Sequence, residues 1–373
     1  MTTDHLRKVY VEPTNACNLN CRTCVRHAWD EPEGFMKWGT YEAVVEGLVA
    51  AIGGDARGIV AFMGLGEPLL HPRFLDMVRL AKERGLRAEV TTNALLLIPA
   101  LARALLDAGL DQLVVSIDGA SAEAFGRVRS GASLENVIAN VRGLQDYRGP
   151  NYGPGTRIGI EFVAMRSNIG ELAGLNRLAA ELGASFIIVS NVLPYAAELI
   201  AETLYDYGVT SLGGAETTAA PAWQLPKFDW GAEIGAALGQ ALHKAGSINL
   251  HESNMDGANN LCPFVGADAC AVAWHGGVSP CPPLLHTYSC FIRGREKQMI
   301  RWRAGRLPDE TMAAVWAKQA YAEFRDRVRC FDFSPCTHCG GCDLAETNEE
   351  DCFGNPRPVC GDCLWARGVV RCA

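Results

Sequence analysis

Three cysteines stand together near the start of the chain, at Cys17, Cys21 and Cys24. Their C-x3-C-x2-C spacing lets three thiolates wrap one cubane iron–sulfur cluster and bond three of its irons, leaving the fourth open to an outside ligand. A structural zinc ion would ask for four protein ligands, and His27 is the one neighbour that could be the fourth. The chain has fifteen cysteines; none lies between Cys24 and Cys262, and twelve run from Cys262 to Cys372. In a reducing compartment such a set points to metal ligation rather than to disulfides. Two regions organised by sulfur are therefore expected.

The elements that must carry these residues alternate between two periodicities. Short, largely apolar runs at Lys8–Glu12, Ile59–Met63, Arg87–Thr91, Gln112–Ile117, Arg157–Ala164 and Phe186–Ser190 read as strands buried on both faces. Between them fall helical stripes: Phe74, Met77, Val78 and Ala81 before Gly85; Leu101, Ala102, Leu105 and Leu106 before Gly109; Val137, Ile138, Val141 and Leu144; and Leu172, Leu175, Leu178, Ala179 and Leu182 before Gly183. Six β/α repeats imply an α/β fold with a parallel sheet. Six are too few to close an eight-stranded barrel, so a partial (β/α)6 barrel is expected over residues 1–207. Residues 208–250, rich in Gly, Thr, Ala and Pro with interspersed aromatics, read as a linker or insertion. Residues 251–373 read as a cysteine-rich iron–sulfur domain in which metal ligation does much of the work of a core. Within it Glu310–Val328 is predicted as one helix, striped by Met312, Val315, Trp316, Ala320 and Phe324.

Polar and glycine-rich stretches recur where the predicted strands end. They are Gly64-Leu65-Gly66-Glu67-Pro68, Thr91-Thr92-Asn93, Ser116-Ile117-Asp118-Gly119 and, further on, Arg129 in Val128-Arg129-Ser130-Gly131. Glycines admit close backbone approach to a ligand, and a carboxylate such as Glu67 accepts from an ammonium. Taken in order with the cysteine loop after the first strand, these stretches resemble the radical S-adenosylmethionine (SAM) superfamily. The resemblance implies that Cys17, Cys21 and Cys24 hold a [4Fe–4S] cluster whose open iron chelates SAM. Reduction would then release methionine and a 5′-deoxyadenosyl radical. It also implies that Gly64, Gly66, Glu67, Pro68, Asn93, Ser116, Asp118 and Arg129 meet SAM. Thr23 stands where many members carry an aromatic residue, and Leu65 parts the two glycines of the superfamily's GGEP motif.

Cys262, thirteen residues, Gly276, four residues and Cys281 resemble the opening of the SPASM domain, which holds auxiliary [4Fe–4S] clusters. Cys270 falls between them, and Cys336, Cys339, Cys342, Cys352, Cys360 and Cys363 follow, without the family's usual spacing in this second half. The expectation is one or two auxiliary clusters, with Cys262, Cys270 and Cys281 sharing one of them with a later cysteine. Cys339, Cys342, Cys360 and Cys363 would supply another. Zinc suits the paired C-x2-C units equally well on spacing alone. Cys290, Cys330 and Cys372 are expected to be spares.

Two further stretches, Arg26–Gly34 and Asn348–Pro356 with Cys363-Leu364-Trp365, are similar to the maturases associated with tungsten-containing aldehyde oxidoreductases. That implies hydrogen-atom abstraction from a pterin-type cofactor, a peptide or a protein, with a flavodoxin or ferredoxin as low-potential electron donor. Peptide crosslinking, amino-sugar alcohol dehydrogenation and, outside catalysis, an iron–sulfur electron carrier or scaffold are the alternatives. No side chain is singled out as catalytic acid or base; Asp118 and Glu161 face the expected cavity by strand position. A net charge of −8 argues against nucleic acid or an anionic membrane as partner. The absence of an apolar leader or a long apolar run leads to the expectation of a cytoplasmic protein.

Overall fold

The computed structural model describes residues 5–29, 31–52, 57–148, 155–205, 222–226, 228–229, 231–242, 247–250, 261–334, 336 and 342–372. The strands fall where apolar runs demand them: β1 Lys8–Val11, β2 Ile59–Phe62, β3 Arg87–Thr92, β4 Gln112–Ser116, β5 Arg157–Ala164 and β6 Phe186–Asn191. All six run parallel in sequence order, for example with Val9 beside Val60 and Val60 beside Ala88. Side chains alternate along them. Val9, Val11, Val60, Phe62, Ile158, Ile160 and Phe162 face the helices and fill the main core, while Tyr10 and Ala61 face the opposite, inner side.

The sheet is wider than six strands. In the segment whose composition suggests a linker, β7 Ala222–Leu225 pairs parallel to β6, the helix Ala232–Leu242 crosses back, and β8 Ser247–Leu250 pairs with β7. On the other edge, β9 Ala269–Val272 from the cysteine-rich region pairs parallel to β1, Lys8 with Ala269. β10 Gly277–Ser279 then runs antiparallel to β9. β11 Tyr288–Ile292 and β12 Arg295–Met299 form a separate hairpin, and β13 Gly305–Arg306 pairs with β10. Among the described residues the result is an open eleven-stranded sheet, as an incomplete barrel requires, and it crosses the boundary expected at residue 250.

The helical stripes pack as their spacing predicts. Phe74, Met77, Val78 and Ala81 are buried in the helix Phe74–Glu83, which stops before Gly85 at φ +74°. Leu172–Leu182 buries Leu172, Leu175, Leu178, Ala179 and Leu182 and ends at Gly183 in the left-handed region. A helix over Trp38–Ala51, absent from the sequence-based expectation, carries the same signature between β1 and β2, with Tyr41, Val44, Val45 and Leu48 buried. The single helix predicted over 310–328 is two, Met312–Trp316 and Gln319–Cys330. Lys318, extended at φ −57° and ψ +131°, breaks the turn and resets the phase, so Tyr321 is buried and Ala320 is exposed. Among the described residues no helix is long and apolar enough to cross a membrane.

Candidate cluster and cofactor site

The loop that leaves β1 carries Cys17, Cys21 and Cys24, and its shape is set by a sidewise clasp. Thr14 Oγ1 donates to the carbonyl of Gly34 at 2.6 Å, and Asn15 both donates to Pro32 O (3.0 Å) and accepts from Gly34 N (2.8 Å). Next to it lies the turn after β2. A Cβ on Gly66 would fall 2.2 Å from Thr14 O and 2.6 Å from Ala16 O, so only glycine allows this approach. The Glu67 amide donates to Ala16 O at 2.9 Å and locks the two loops together.

N–H groups surround the three thiols. Backbone amides of Leu19 and Arg26 hydrogen-bond the sulfurs of Cys17 and Cys24. Asn93 Nδ2 and Arg129 Nη1 each lie 4.0 Å from a sulfur, those of Cys17 and Cys21. Burial pushes the Cys21 thiol up to about 11 against the pull of Arg129. Thiols that are costly to ionise yet ringed by donors suit thiolates bonded to iron, whose charge offsets the burial. Among the described residues no three such side chains are already gathered at metal-ligand distance, so the donor chemistry carries the fit rather than a preformed cage. His27 is turned away: its Nε2 meets the Cys21 carbonyl at 3.1 Å. Tyr195 supports the loop by donating to Arg22 O at 2.7 Å.

Most residues expected to meet SAM converge on this loop. Glu67 is buried, and its oxygens accept from Thr92 Oγ1 (2.6 Å), Leu69 N (3.0 Å) and Asn93 N (2.8 Å). Its carboxylate is thus largely taken up in joining the turn after β2 to the end of β3, where an ammonium contact was expected. Pro68 follows it as the first residue of a 3-10 turn. Asn93 Nδ2 donates to Asn18 Oδ1 at 2.8 Å. Asp118, fully buried, accepts from Val163 N at 2.8 Å through Oδ1, and its Oδ2 lies 2.9 Å from Arg129 Nε, an ion pair off the hydrogen-bond line. Burial opposes the Arg129 charge, and Asp118, followed by Cys21 and Glu161, more than restores it. Ser116, at the end of β4, pairs with Glu161 on β5, which faces the inner side. Burial and then the Asp118 charge push the Glu161 carboxyl up to about 7.

The later cysteines sort differently from their sequence spacing. Cys262 lies close enough to Cys281, Cys360 and Cys363 to push their thiols up, after burial, the larger cause. Cys270 is not with them. It points from β9 into the main helix-facing core, which Cys262 and Cys360 also touch, whereas Cys281 packs on the inner side with Ala269 and Ala271. Alternation along the strand explains this: a residue one place from Ala269 must face the other way. Cys336 lies near Cys352 and hydrogen-bonds Ser334 Oγ at 2.9 Å. Cys342 is exposed, and Cys339 lies outside the described residues. Of the expected spares, Cys290 is buried beside Tyr288 and Ile292, Cys330 is exposed, and Cys372 accepts from Trp365 Nε1 at 3.1 Å.

Known families match both regions. The family model of the radical SAM superfamily covers residues 11–164, and that of the SPASM iron–sulfur cluster-binding domain covers residues 262–343. This chain is a radical SAM superfamily enzyme. Among its relatives is the tungsten-containing aldehyde ferredoxin oxidoreductase cofactor-modifying protein of Pyrococcus furiosus, 29% identical over 98% of this chain and 97% of that protein. The fold also matches the crystal structure of Streptococcus suis SuiB bound to its precursor peptide SuiA, at a TM-score of 0.63 and 14% identity over 97% of this chain and 76% of that one. Native anSMEcpe with bound AdoMet matches at a TM-score of 0.59 and 16% identity over 96% of this chain and 95% of that one. Superfamily membership brings a [4Fe–4S] cluster and SAM, and the SPASM domain brings auxiliary iron–sulfur clusters.

Two buried charge groupings of this radical SAM enzyme escape a reading of the sequence. Lys297 on β12, 2% exposed, pairs with Asp362 at 2.7 Å between Cys360 and Cys363. Glu12 at the end of β1 is joined to His286 of the SPASM region. Asp362 fills an unspecified position inside Cys360-x2-Cys363, and a lone Lys, His or Glu gives no spacing signal.

Proposed function

We propose that this enzyme is a maturase that reductively cleaves SAM and takes a hydrogen atom from the pterin-type cofactor of a tungsten-containing oxidoreductase. The observation that carries this reading is the end-to-end likeness to the Pyrococcus furiosus cofactor-modifying protein, which spans the radical SAM region and the cysteine-rich region alike. Cys17, Cys21 and Cys24 hold the SAM cluster. Cys262, Cys281, Cys360 and Cys363 hold one auxiliary cluster, and Cys336 and Cys352 with Cys339 and Cys342 hold a second. When bound, the first cluster supplies the electron that breaks a carbon–sulfur bond of SAM.

The chain's own residues then have separable tasks. The backbone of Gly64–Glu67 lies against the cluster loop and meets the amino group of SAM. Arg129, kept charged by Asp118, offers its remaining N–H groups to the SAM carboxylate. Ser116 and Asn93 flank them at the ends of β4 and β3. Glu161, its carboxyl pushed up to about 7 by burial and Asp118, lies on the inner side. A low-potential flavodoxin or ferredoxin is the proposed reductant.

The test is anaerobic reconstitution, iron counting and incubation with SAM, reductant and the isolated pterin-type cofactor. Formation of 5′-deoxyadenosine coupled to a mass change in the cofactor is the expected result. If 5′-deoxyadenosine forms while the cofactor is recovered unchanged, the substrate is wrong. If none forms, the SAM reading itself fails.

A further inference from the structure

His286 belongs to the SPASM region, yet both of its ring nitrogens meet carboxylates of the N-terminal core. Nε2 lies 3.0 and 2.9 Å from the two oxygens of Glu12, and Nδ1 lies 2.7 Å from Glu31 Oε2. A carboxylate facing a ring nitrogen at these distances accepts, so each nitrogen must carry a proton. Only the doubly protonated imidazolium satisfies both; either neutral tautomer would set a lone pair against one carboxylate. His286 and Glu12 are buried at 1% and 0% exposure. Burial pulls the imidazolium down, but Glu12 and Glu31 outweigh it and hold His286 at about 9. Burial likewise opposes the Glu31 charge, and His286 overcomes it, leaving that carboxyl at about 2.

The other charged groups around the imidazolium are accounted for. Arg301 donates to Glu31 Oε1 at 3.1 Å. His275 is pulled down to about 4 by burial and then by Arg303, whose Nη2 lies 2.9 Å from its ring. The Trp29 ring covers His286 at 4.3 Å between centroids.

Glu12 passes this anchoring on. Its Oε1 also accepts from the Leu65 amide at 3.3 Å, and its Cγ lies 2.6 Å from where a Cβ on Gly64 would be. The middle of the Gly64–Pro68 loop is therefore tied, through one buried carboxylate, to a cation on the SPASM region.

We propose that His286 is a positioning residue for SAM, acting from the SPASM region through Glu12 on the Leu65 amide and so on the loop that receives SAM. This rests on the assignment of Gly64–Pro68 to SAM made above. It links SAM affinity to the seating of the SPASM region, and by reciprocity bound SAM steadies that seating. Proton loss from His286 undoes the link, so affinity is full at neutral pH and falls as pH rises through about 9.

The experiment uses the full reconstituted chain with His286→Gln, Glu31→Gln and Gly66→Ala variants. SAM binding is measured by equilibrium dialysis, and deuterium uptake over residues 63–70 is measured without SAM. His286→Gln is expected to weaken SAM about tenfold, which is ~1.4 kcal/mol, and to speed exchange at Leu65 with the iron count unchanged. Glu31→Gln keeps the Glu12 contact but removes one partner of the imidazolium, so its affinity falls at a lower pH than in the unaltered chain. Unchanged affinity and exchange in His286→Gln, or coincident pH profiles with and without Glu31→Gln, overturn the proposal. Should His286→Gln not fold, the Glu31→Gln profile decides alone. Gly66→Ala separates the two claims. Normal SAM binding there sinks the loop assignment, whereas weakened binding beside an unaffected His286→Gln sinks only the role of His286.

Discussion

Arg129 and Asp118 form an ion pair of 2.9 Å in an interior where the arginine side chain is 11% exposed and the aspartate not at all. The same guanidinium reaches to 4.0 Å from the Cys21 sulfur. Removing it strands a buried carboxylate, a loss of about 3–5 kcal/mol for such pairs. Arg129→Met should therefore lower the denaturation midpoint markedly and reduce SAM affinity. A midpoint within error of the unaltered chain would show that the pair is not a structural one.

The division among the C-terminal cysteines is open to iron counting. Cys360→Ala or Cys363→Ala should each lose about four irons, because each breaks a four-cysteine set around one cubane. Cys270→Ala, in the helix-facing core, should keep its iron and lose only packing, measured by denaturant titration. Loss of iron from Cys270→Ala would return that residue to the ligand set.

Glu161 predicts a pH dependence of stability. Its carboxyl is raised to about 7 by burial and by Asp118, above the ordinary value of 4.5. In the acidic range the folded chain holds this proton after the unfolded chain has lost it. Its contribution therefore declines as pH rises from about 4.5 to about 7 and stays low above that. Glu161→Gln should be more stable than the unaltered chain at pH 8 by about 3 kcal/mol, with no difference at pH 4. Identical pH–stability curves would refute it.

Lys297 and Asp362 make a paired test. Lys297→Met leaves Asp362 buried without its cation and should cost about 3–5 kcal/mol, while Lys297→Met with Asp362→Leu should recover most of that. Chemical denaturation of these two variants, of Asp362→Leu alone and of the unaltered chain shows whether the two effects couple. Simple additivity would mean that the partners act independently.

Gly66→Ala tests the backbone approach. The added methyl would lie 2.2 Å from Thr14 O, so the two loops must part. A cost of about 1–3 kcal/mol is expected, together with weaker SAM binding by dialysis. Gly85→Ala, with open space around its Cβ but φ +74°, is the control for backbone strain alone.

The parts of the molecule that were legible share a cause. β1–β6 are short apolar runs closed by polar turns, and burial on both faces leaves that pattern little freedom. The cysteine loop and the strand-end motifs are local in sequence, so their spacing carries their geometry. β7 and β8, four residues each like β1 and β2, border or follow a Gly- and Thr-rich stretch, and only the pairing of β7 with β6 and of β8 with β7 defines them. Chain proximity groups Cys270 with Cys262 and Cys281 but says nothing about which face of β9 its side chain takes. The Glu12–His286 contact joins residues 274 apart in the chain, and the break at Lys318 is marked by neither Gly nor Pro. Neither has a spacing to read.

The pairing of β1 with β9 has a consequence for how the chain is made. β1 leaves the ribosome well before one of its two neighbours, β9 at residues 269–272, is synthesised. Until then β1 has an unpaired edge of N–H and C=O groups, open to pairing with other chains. Contacts this distant in sequence also form slowly. Slow translation, low temperature and dilute expression should accordingly favour recovery of native protein, and fragments that stop before Ala269 should aggregate.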